Sequence, residues 1–363
     1  MSVTIYDVAR HAGVSPRTVS NVINEYPFVA DRTRQRVLDS VRVLGYRPNL
    51  TARNLRRGRT GMIALAVPEL AVPYFSELSG AVMEEAARRS YTMIIEQTDG
   101  DPERERKLLA DSEREQLFDG LIFSPLGLGA RDLGSASGRA PVVLLGERVN
   151  DGPFDHVTID NVAASREVVA HLAGLGRRRI AAIGDQPYET GETAQFRTQG
   201  YLEGLEIACL PADRRLIIPA RRFHREAGAQ AMRELLELRN PPDAVFCYND
   251  LLAAGAIRVL LTAGLRVPQD VAVAGFDDIE EGRFSTPTLT SLAPDKRGIA
   301  AMAVEQLFRR LEGTAGDPQV LQAPFALRAR ESTLGRVGPD GPTGSAVPGG
   351  TAGLGAAEAW QPE

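Results

Sequence analysis

From about Gly61 onward, the chain alternates short apolar runs with longer stretches at helical spacing, and this alternation limits the folds open to it. The first half contains the runs MIALAVP, YTMIIEQ, GLIFSP and PVVLLGE, and the second contains RIAAIG, RLIIPA, DAVFCY and VAVAGFD. Apolar strands that alternate with helices are typical of parallel sheets built from right-handed βαβ units. A break near residues 150–160 divides the runs, so the sequence predicts two similar α/β subdomains.

The end of the chain differs in composition. Residues 288–312 predict a strand and a further helix, and VLQAPFALRARES predicts the last strands. Beyond about Gly335, 12 of 29 residues are glycine or proline, so we predict that this tail, which holds the only tryptophan, Trp360, is disordered. No run approaches the roughly 18 apolar residues of a membrane span, and the N-terminus lacks the apolar core of a signal peptide.

Residues 4–24 predict two short helices joined by a tight turn. Thr4 and Asp7 form a capping-box pattern, and Gly13 supplies a turn residue that tolerates positive φ. Ser15 followed by Pro16 is a strong helix start. Apolar residues fall at helical spacing on the facing sides, namely Ala9, Ala12, Val19, Val22 and Ile23. The pattern is typical of a helix-turn-helix, whose second helix enters the major groove of DNA, and an ordinary helical hairpin is the alternative.

A third helix and a strongly basic charge accompany this motif. Asp31 or Thr33 begins the helix, for which we predict four inward residues, Val37, Leu38, Val41 and Leu44. Eleven arginines and four acidic residues give residues 1–60 a charge of +7, and because the whole chain carries −5, the remainder carries −12. A basic head on an acidic body favours a polyanion-binding module, with a merely solvated basic face as the alternative.

Three motifs, TIYDVARHAGVSPRTVSNVIN, GYRPN and ARNLRRGRTG, resemble the headpiece and hinge of the lactose-repressor (LacI/GalR) family. The resemblance, which extends over about residues 3–333, implies an all-α helix-turn-helix headpiece with a hinge helix. The resemblance also implies that a two-subdomain α/β body with parallel sheets, like that of periplasmic binding proteins, comes after the headpiece in the chain. It further implies a cytoplasmic homodimer that acts as a transcriptional regulator, with repression as the expected mode, on double-stranded operator DNA under the control of a small-molecule effector.

The same resemblance implies how the chain is divided. The predicted domains are a headpiece (1–48), a hinge (49–60), an effector-binding and dimerisation domain (61–334) and the tail (335–363). Within the third of these, subdomain one covers about 61–158 and 293–325, and subdomain two covers about 159–292. In the family, the last long helix of the body returns to subdomain one.

The second helix carries the residues with which the headpiece is expected to bind DNA. Polar residues flank its apolar valine: Arg17, Thr18, Ser20 and Asn21. Arginine can pair with guanine, and asparagine with adenine, through two hydrogen bonds each. By resemblance, Pro16, Arg17 and Asn21 read bases; many family members have arginine at the last position, so Asn21 leaves the operator sequence open. Phosphate contacts are predicted for Thr4, Ser15, Ser20, Asn24 and the arginines, with simple solvent exposure as the alternative.

Residues 49–57 match the family's hinge helix, which folds on DNA in the dimer. Leu55 matches the leucine that wedges between base pairs in the minor groove and kinks the duplex. The predicted contacts of the hinge with DNA are Asn49, Ala52, Arg53, Leu55 and Arg56. Alternatively Leu55 covers the α/β body, which its arginine neighbours make less favourable.

An effector is expected in the cleft between the subdomains, near the C-terminal ends of the strands. The positions that match the family's ligand contacts are Tyr74, Phe75, Glu147, Arg197, Phe223, Asn249 and Asp277. Carboxylates and arginine bind pairs of hydroxyl groups and aromatic rings stack on a sugar ring, so a sugar or related polyol is the predicted effector. Alternatives remain, since Asp250 and Asp278 can cap helices or turns and Phe75 can be partly core.

The chain lacks the motifs of common α/β enzymes. No Gly-Lys pair exists for a Walker A loop, no GxGxxG follows a strand, and Ala136 takes the nucleophile position in GSASG. The four histidines are scattered without metal-ligand spacing, so we predict no enzymatic activity, cofactor or metal. A periplasmic solute receptor and an α/β enzyme are the competing classes. The missing signal peptide and the basic head disfavour the receptor, and the absent motifs disfavour the enzyme.

Cysteine usage bears on the compartment. Cys209 and Cys247 are the only cysteines, and each lies in an apolar context. We predict two buried free thiols rather than a disulfide, which favours the cytoplasm.

Overall fold

A computed structural model of the chain describes residues 3–23, 26–46, 59–110, 117–129, 132–133, 140–146, 153–187 and 192–335. The predictions made for the hinge segment 49–57 and for the tail beyond residue 335 lie outside these described residues.

The N-terminal region forms three helices, α1 (Ile5–Ala12), α2 (Pro16–Ile23) and α3 (Asp31–Leu44). They enclose a small core of their own, made of Val8, Ala9, Ala12, Val19, Val22 and Val37. The Thr4 backbone N–H donates to the Asp7 carboxylate at 3.0 Å, and Ser15 Oγ accepts the Thr18 backbone N–H at 3.1 Å. Gly13 adopts the left-handed conformation, with φ 61°, so the turn predicted from the sequence is present.

The inward face of α3 is narrower than predicted. Val37 is fully buried and Val41 and Leu44 are half-buried, but Leu38 is 39 % exposed, so its predicted core position is wrong. The three inward residues follow the i, i+4, i+7 helical repeat, whereas Leu38 is one residue, and therefore about 100° of helix rotation, away from that stripe. Ser40 is buried on this face instead, where its hydroxyl bonds to the Arg36 carbonyl at 2.8 Å.

The body contains two six-stranded sheets. The first has the order β11-β5-β4-β3-β1-β2 and is parallel throughout, with strands β1 (Met62–Val67), β2 (Thr92–Gln97), β3 (Leu121–Phe123), β4 (Val142–Leu145), β5 (Asp155–Thr158) and β11 (Val320–Gln322). The second has the order β12-β10-β9-β8-β6-β7, with strands β6 (Ile180–Asp185), β7 (Ile217–Pro219), β8 (Ala244–Cys247), β9 (Ala272–Phe276), β10 (Thr290–Pro294) and β12 (Phe325–Arg328). Only β12 runs antiparallel to its neighbour there. The predicted architecture of two parallel α/β sheets is confirmed.

Helices cover these sheets: α4 (Pro73–Arg88), α5 (Pro102–Ala110), α6 (Asn161–Gly174), α7 (Glu192–Ile207), α8 (Arg225–Leu236), α9 (Asp250–Thr262), α10 (Glu280–Phe284), α11 (Lys296–Leu311) and α12 (Glu331–Leu334). Helix α11 follows β10 of the second sheet but packs on α4 and on strands β3 to β5 of the first. The chain therefore crosses between the two halves more than once.

Two further expectations about the body have different outcomes. Cys247 is buried, as predicted, but Cys209 is exposed, so the prediction of two buried thiols is wrong. Cys209 lies two residues past the end of α7, in a turn with φ 53°, so the apolar residues beside it in the sequence do not bring it into the core. Among the described residues, no helix is both long and apolar enough to cross a membrane.

Candidate DNA-binding head and effector cleft

The second helix of the head presents its polar residues on one side. Val19 is completely buried between the helices, while Arg17 is exposed and Thr18 and Asn21 are half-buried. Pro16 and Ser20 are half-buried as well, and Thr4 and Ser15 are exposed. The helix thus presents a polar face on the side away from Val19, and such a face is compatible with the major groove. Asn24 and the hinge residues Asn49, Ala52, Arg53, Leu55 and Arg56 lie outside the described residues.

Not every arginine of the basic head is available to phosphate. Arg36 of α3 donates from Nη2 and Nε to the Ala12 carbonyl at 2.7 and 3.2 Å, and from Nη2 to the Gly13 carbonyl at 3.3 Å. These carbonyls end α1, where the helix leaves acceptors unsatisfied. Arg36 is therefore a structural residue that fixes the turn before α2, a role that charge counting does not reveal.

A cleft of about 1300 Å³ opens at the C-terminal ends of the strands of both sheets. The predicted effector contacts that line it are Tyr74, Phe75, Arg197, Phe223, Asn249 and Asp277. These six residues come from five separate segments of the chain, because Tyr74 and Phe75 are neighbours, and the remaining predicted contact, Glu147, lies outside the described residues. The cleft wall also includes acidic and basic groups that sequence analysis did not select, among them Glu69, Asp99, Asp185, Arg221 and Arg222.

Arg197 of α7 is held in one orientation from three sides. Its Nε donates to Asn161 Oδ1 at 2.8 Å, and Nη1 donates to the Tyr248 carbonyl. Its guanidinium carbon lies 3.6 Å from the centroid of the Phe276 ring, in cation–π geometry. The side chain is buried but reaches the cleft, so its position is fixed before any ligand binds.

Asn249 and Asp277 occupy strand ends in the second sheet. Asn249 caps α9, because its Oδ1 accepts the Leu252 N–H at 2.9 Å while Nδ2 donates to the Phe223 carbonyl at 3.0 Å. Asp277 follows β9 with φ 103° and Asp278 follows with φ 47°, a pair of positive values that aspartate tolerates better than most residues. This turn, residues 277–280, is called the effector turn below.

The effector turn is tied down by a carboxylate behind it. Asp250 is buried, and its two oxygens accept the Ile279 N–H at 2.9 Å and the Ser291 hydroxyl at 2.6 Å. Asp250 therefore holds the effector turn in place and does not cap α9. The cap of α9 is its neighbour Asn249. Asp278 is bound by two arginines, Arg330 at 2.6 Å and Arg283 at 3.1 Å.

Asp250 predicts a pH dependence of stability. Burial, and then the nearby Asp277 charge, raise the pKa of the Asp250 carboxyl well above its ordinary value of 3.8. In that range the native state binds more protons than the unfolded chain, so this group makes stability fall as pH rises above 3.8. We expect Asp250→Asn to remove this slope, so that the melting temperature of the variant improves relative to the unmodified protein between about pH 4 and about pH 7.

Asp270 provides a control with the opposite sign. The Arg266 side chain lowers the pKa of Asp270 to about 2, so its contribution is present above the ordinary value and is lost as pH falls. Asp270→Asn should therefore lose stability relative to the unmodified protein as pH rises from about 2 to about 4, and should then keep a constant difference from about pH 4 to about pH 7. A constant difference in melting temperature across this range for Asp250→Asn would contradict the prediction.

The opposite wall of the cleft is built on an internal carboxylate. Glu105 of α5 is 0 % exposed. Its Oε1 accepts the Leu126 N–H at 2.9 Å and the Thr98 hydroxyl at 3.2 Å, and its Oε2 accepts the Gly127 and Leu128 N–H groups at 2.8 and 3.0 Å. Residues 124–127 line the cleft, so Glu105 fixes that wall without touching the cavity itself.

One contact bridges the two walls at the cleft mouth. His224 Nε2, before α8 in the second sheet's half, lies 3.0 Å from Glu69 Oε2, which follows β1 of the first. Among the described residues, no group of histidine, cysteine and acidic side chains could hold a metal ion.

A basic helix-turn-helix head followed by a two-sheet α/β body with a cleft lined by both charged and aromatic side chains defines a DNA-binding transcriptional regulator. Comparison with known families agrees with this class. The model described as "Bacterial regulatory proteins, lacI family" matches residues 4–49, and the "Periplasmic binding protein-like domain" matches residues 169–333. The transcriptional regulator DegA of Bacillus subtilis (strain 168) is 36 % identical over 338 residues, covering 92 % of this chain and 98 % of that protein. The chain belongs to the lacI family.

Two solved structures extend this comparison. The lac repressor dimer bound to operator and the anti-inducer ONPF has a TM-score of 0.78 at 27 % identity, covering 92 % of this chain and 100 % of that one. The complex of the transcriptional regulator CelR with cellobiose has a TM-score of 0.66 at 31 % identity, covering 91 % of this chain and 99 % of that one. The relatives are named as regulators of transcription rather than as enzymes.

Proposed function

We propose that this protein is a cytoplasmic homodimeric repressor whose binding to a palindromic operator is controlled by a sugar or related polyol in the cleft, with the domain division predicted from the sequence. The observation that carries the proposal is the meeting of Arg197 and Asp277 with Tyr74, Phe75 and Phe223 around one cavity. A guanidinium and a carboxylate suit vicinal hydroxyl groups, while aromatic rings suit the apolar face of a sugar ring.

The comparisons support the same proposal from outside the chain. The CelR structure contains cellobiose and the lac repressor structure contains operator DNA, in proteins that share this architecture. The cleft volume of about 1300 Å³ admits a ligand of disaccharide size. The proposed control requires no chemical reaction. The cleft has only to bind the effector with different affinities in two conformations of the body.

A gel-shift experiment with the full chain tests the proposal. Palindromic duplexes selected from a random library should be retarded, with affinity falling steeply as salt rises, because arginine–phosphate contacts release counterions. A thermal-shift screen with monosaccharides, disaccharides and nucleosides should then identify the effector. A solute receptor or an enzyme of this fold would retard no duplex, and that result would overturn the proposal.

Arg17 provides a sharper test of sequence reading. Arg17→Ala should weaken binding to the selected operator by about 1–3 kcal/mol if the residue pairs with a guanine, and should barely change binding to unrelated DNA. Arg42→Ala is the matched control, since Arg42 is exposed on α3, outside the second helix. If Arg17→Ala weakened binding to both duplexes equally, Arg17 would contact phosphate and not bases.

A further inference from the structure

The first turn of α11 is bonded to the effector turn. Lys296 Nζ lies 2.7 Å from the Asp277 carbonyl, 3.1 Å from the Asp278 carbonyl and 2.5 Å from Glu77 Oε2. An ammonium group has three N–H donors, so these three oxygens satisfy it completely. The Lys296 side chain is only 13 % exposed, which makes these contacts stronger than those of a surface lysine.

Glu77 brings a second helix to the same point. It lies on α4, and its other oxygen, Oε1, accepts the Glu280 N–H at 2.9 Å. Tyr74, one turn earlier on α4, lines the cleft and has its ring centroid 6.0 Å from Lys296 Nζ. The effector turn of the second sheet and α4 of the first are therefore both attached to the start of α11.

The far end of α11 holds the chain where it enters the body from the head. Arg59 Nη2 donates to the Leu311 carbonyl, the last residue of α11, at 2.7 Å. The next two backbone N–H groups, of Thr60 and Gly61, donate to the two oxygens of Asp119 at 2.6 and 2.9 Å. Residue 59 lies two positions after the predicted hinge segment 49–57, so this anchor sets where the DNA-binding head is attached.

Between these ends α11 is a packed helix with no break. Its 16 residues span about 24 Å at 1.5 Å per residue. Its inner face is buried through Ile299, Ala300, Ala303, Val304 and Leu307. Near its C-terminus, the Phe308 ring stacks under Arg89, whose guanidinium carbon is 4.7 Å from the ring centroid. A close-packed helix shifts as a unit and does not bend in its middle.

We propose that α11 is the rigid link through which the effector turn and the anchor of the head, residues 59–61, influence each other, with Lys296 and Arg59 as positioning residues at its two ends. The inference rests on the proposed function in that the effector is what moves the effector turn. A ligand that draws Asp277 toward the cleft shifts the backbone carbonyl groups that accept hydrogen bonds from Lys296. Helix α11 then shifts as a unit, which moves the Leu311 carbonyl and the Arg59 side chain bonded to it. Because thermodynamic coupling between two sites is reciprocal, a change at residues 59–61 must in turn affect the effector turn.

Hydrogen–deuterium exchange on the full chain, without effector or DNA, tests the link independently of the proposed function. Lys296→Met keeps the aliphatic stem and removes the ammonium group. We expect exchange of the Thr60 and Gly61 amides to rise about two- to thirtyfold, the range that corresponds to mutational changes in coupling between distant sites. Glu305→Gln is the matched control: it weakens the ion pair of α11 with Arg89, in the middle of the helix, and should leave those amides unchanged.

The reciprocal variant closes the test. Arg59→Met should raise exchange at the effector turn, at the Ile279 and Glu280 amides, and it still tests the link if Lys296→Met fails to fold. Faster exchange at the effector turn in Lys296→Met, with residues 59–61 unchanged, would overturn the proposal and make Lys296 a local support only. Because no sugar or operator is added, failure to find an effector leaves this result untouched.

Discussion

Replacing Asp277 with alanine should abolish the thermal shift caused by the effector while leaving operator binding intact in its absence, if the effector is an inducer. The Asp277 carboxylate lines the cleft at the end of β9, across from the aromatic residues of α4. Hydrogen bonds to a charged group contribute about 1.5–3 kcal/mol each, so losing two from a sugar would weaken its binding about a hundredfold or more.

Backbone strain has to be separated from this loss of contacts. With φ 103° at position 277, alanine is less well tolerated than aspartate, and part of its effect can come from the turn. Asp277→Gly relieves the backbone and Asp277→Asn keeps the shape without the charge. If Asp277 binds the effector, neither the glycine variant nor the alanine variant should show a thermal shift with the effector. The glycine variant should nevertheless melt at a higher temperature than the alanine variant.

The measurement is a thermal shift with each sugar that stabilises the unmodified protein, followed by a gel shift with the selected operator. Asp295→Ala serves as a control, because Asp295 caps α11 through the Gly298 N–H at 2.9 Å and does not line the cleft. An Asp277→Gly protein that still responds to its effector with unchanged affinity would remove Asp277 from the site.

The sequence alone accounts for much of this cleft because of how parallel sheets are built. Arg197, Asn249 and Asp277 are far apart in the chain, but Asn249 and Asp277 lie within two residues of strand ends, and parallel strands end at one edge of a sheet. The helix-turn-helix was equally accessible, since its caps and small residues act within a few positions of each other. Local rules were therefore sufficient for the helix-turn-helix, whereas the individual cleft residues were predicted from the resemblance to the family.

The remaining features depend on distant contacts that no local pattern contains. Glu105 lies on a helix whose other charged residues are exposed, and nothing within its sequence shows that backbone N–H groups some 20 residues later surround it. Lys296 is likewise a charged residue at a helix start, and its burial depends on α4 and on the effector turn. In both cases three-dimensional packing determines whether a charge faces water or a set of internal hydrogen-bonding partners.

Glu105→Gln should lower the free energy of unfolding by about 2–5 kcal/mol and should also weaken effector binding, because an amide nitrogen would replace an oxygen that now accepts buried N–H groups. Two of the four donors, the Thr98 hydroxyl and the Leu128 N–H, have no water to replace a lost acceptor, since Thr98, Glu105 and Leu128 are completely buried. Loosening them moves residues 124–127, which form a wall of the cleft. Urea denaturation and effector titration on the same protein measure both effects.

Glu103 offers a matched control on the same helix. Its side chain is 86 % exposed and pairs with Arg106 in solvent, so Glu103→Gln should change stability by less than about 1 kcal/mol. If Glu105→Gln lowered stability but left effector affinity equal to that of the Glu103→Gln control, the cleft wall would be held by other contacts. A stability equal to that of the control would mean that the four donors around Glu105 find other acceptors, contrary to the geometry of this carboxylate.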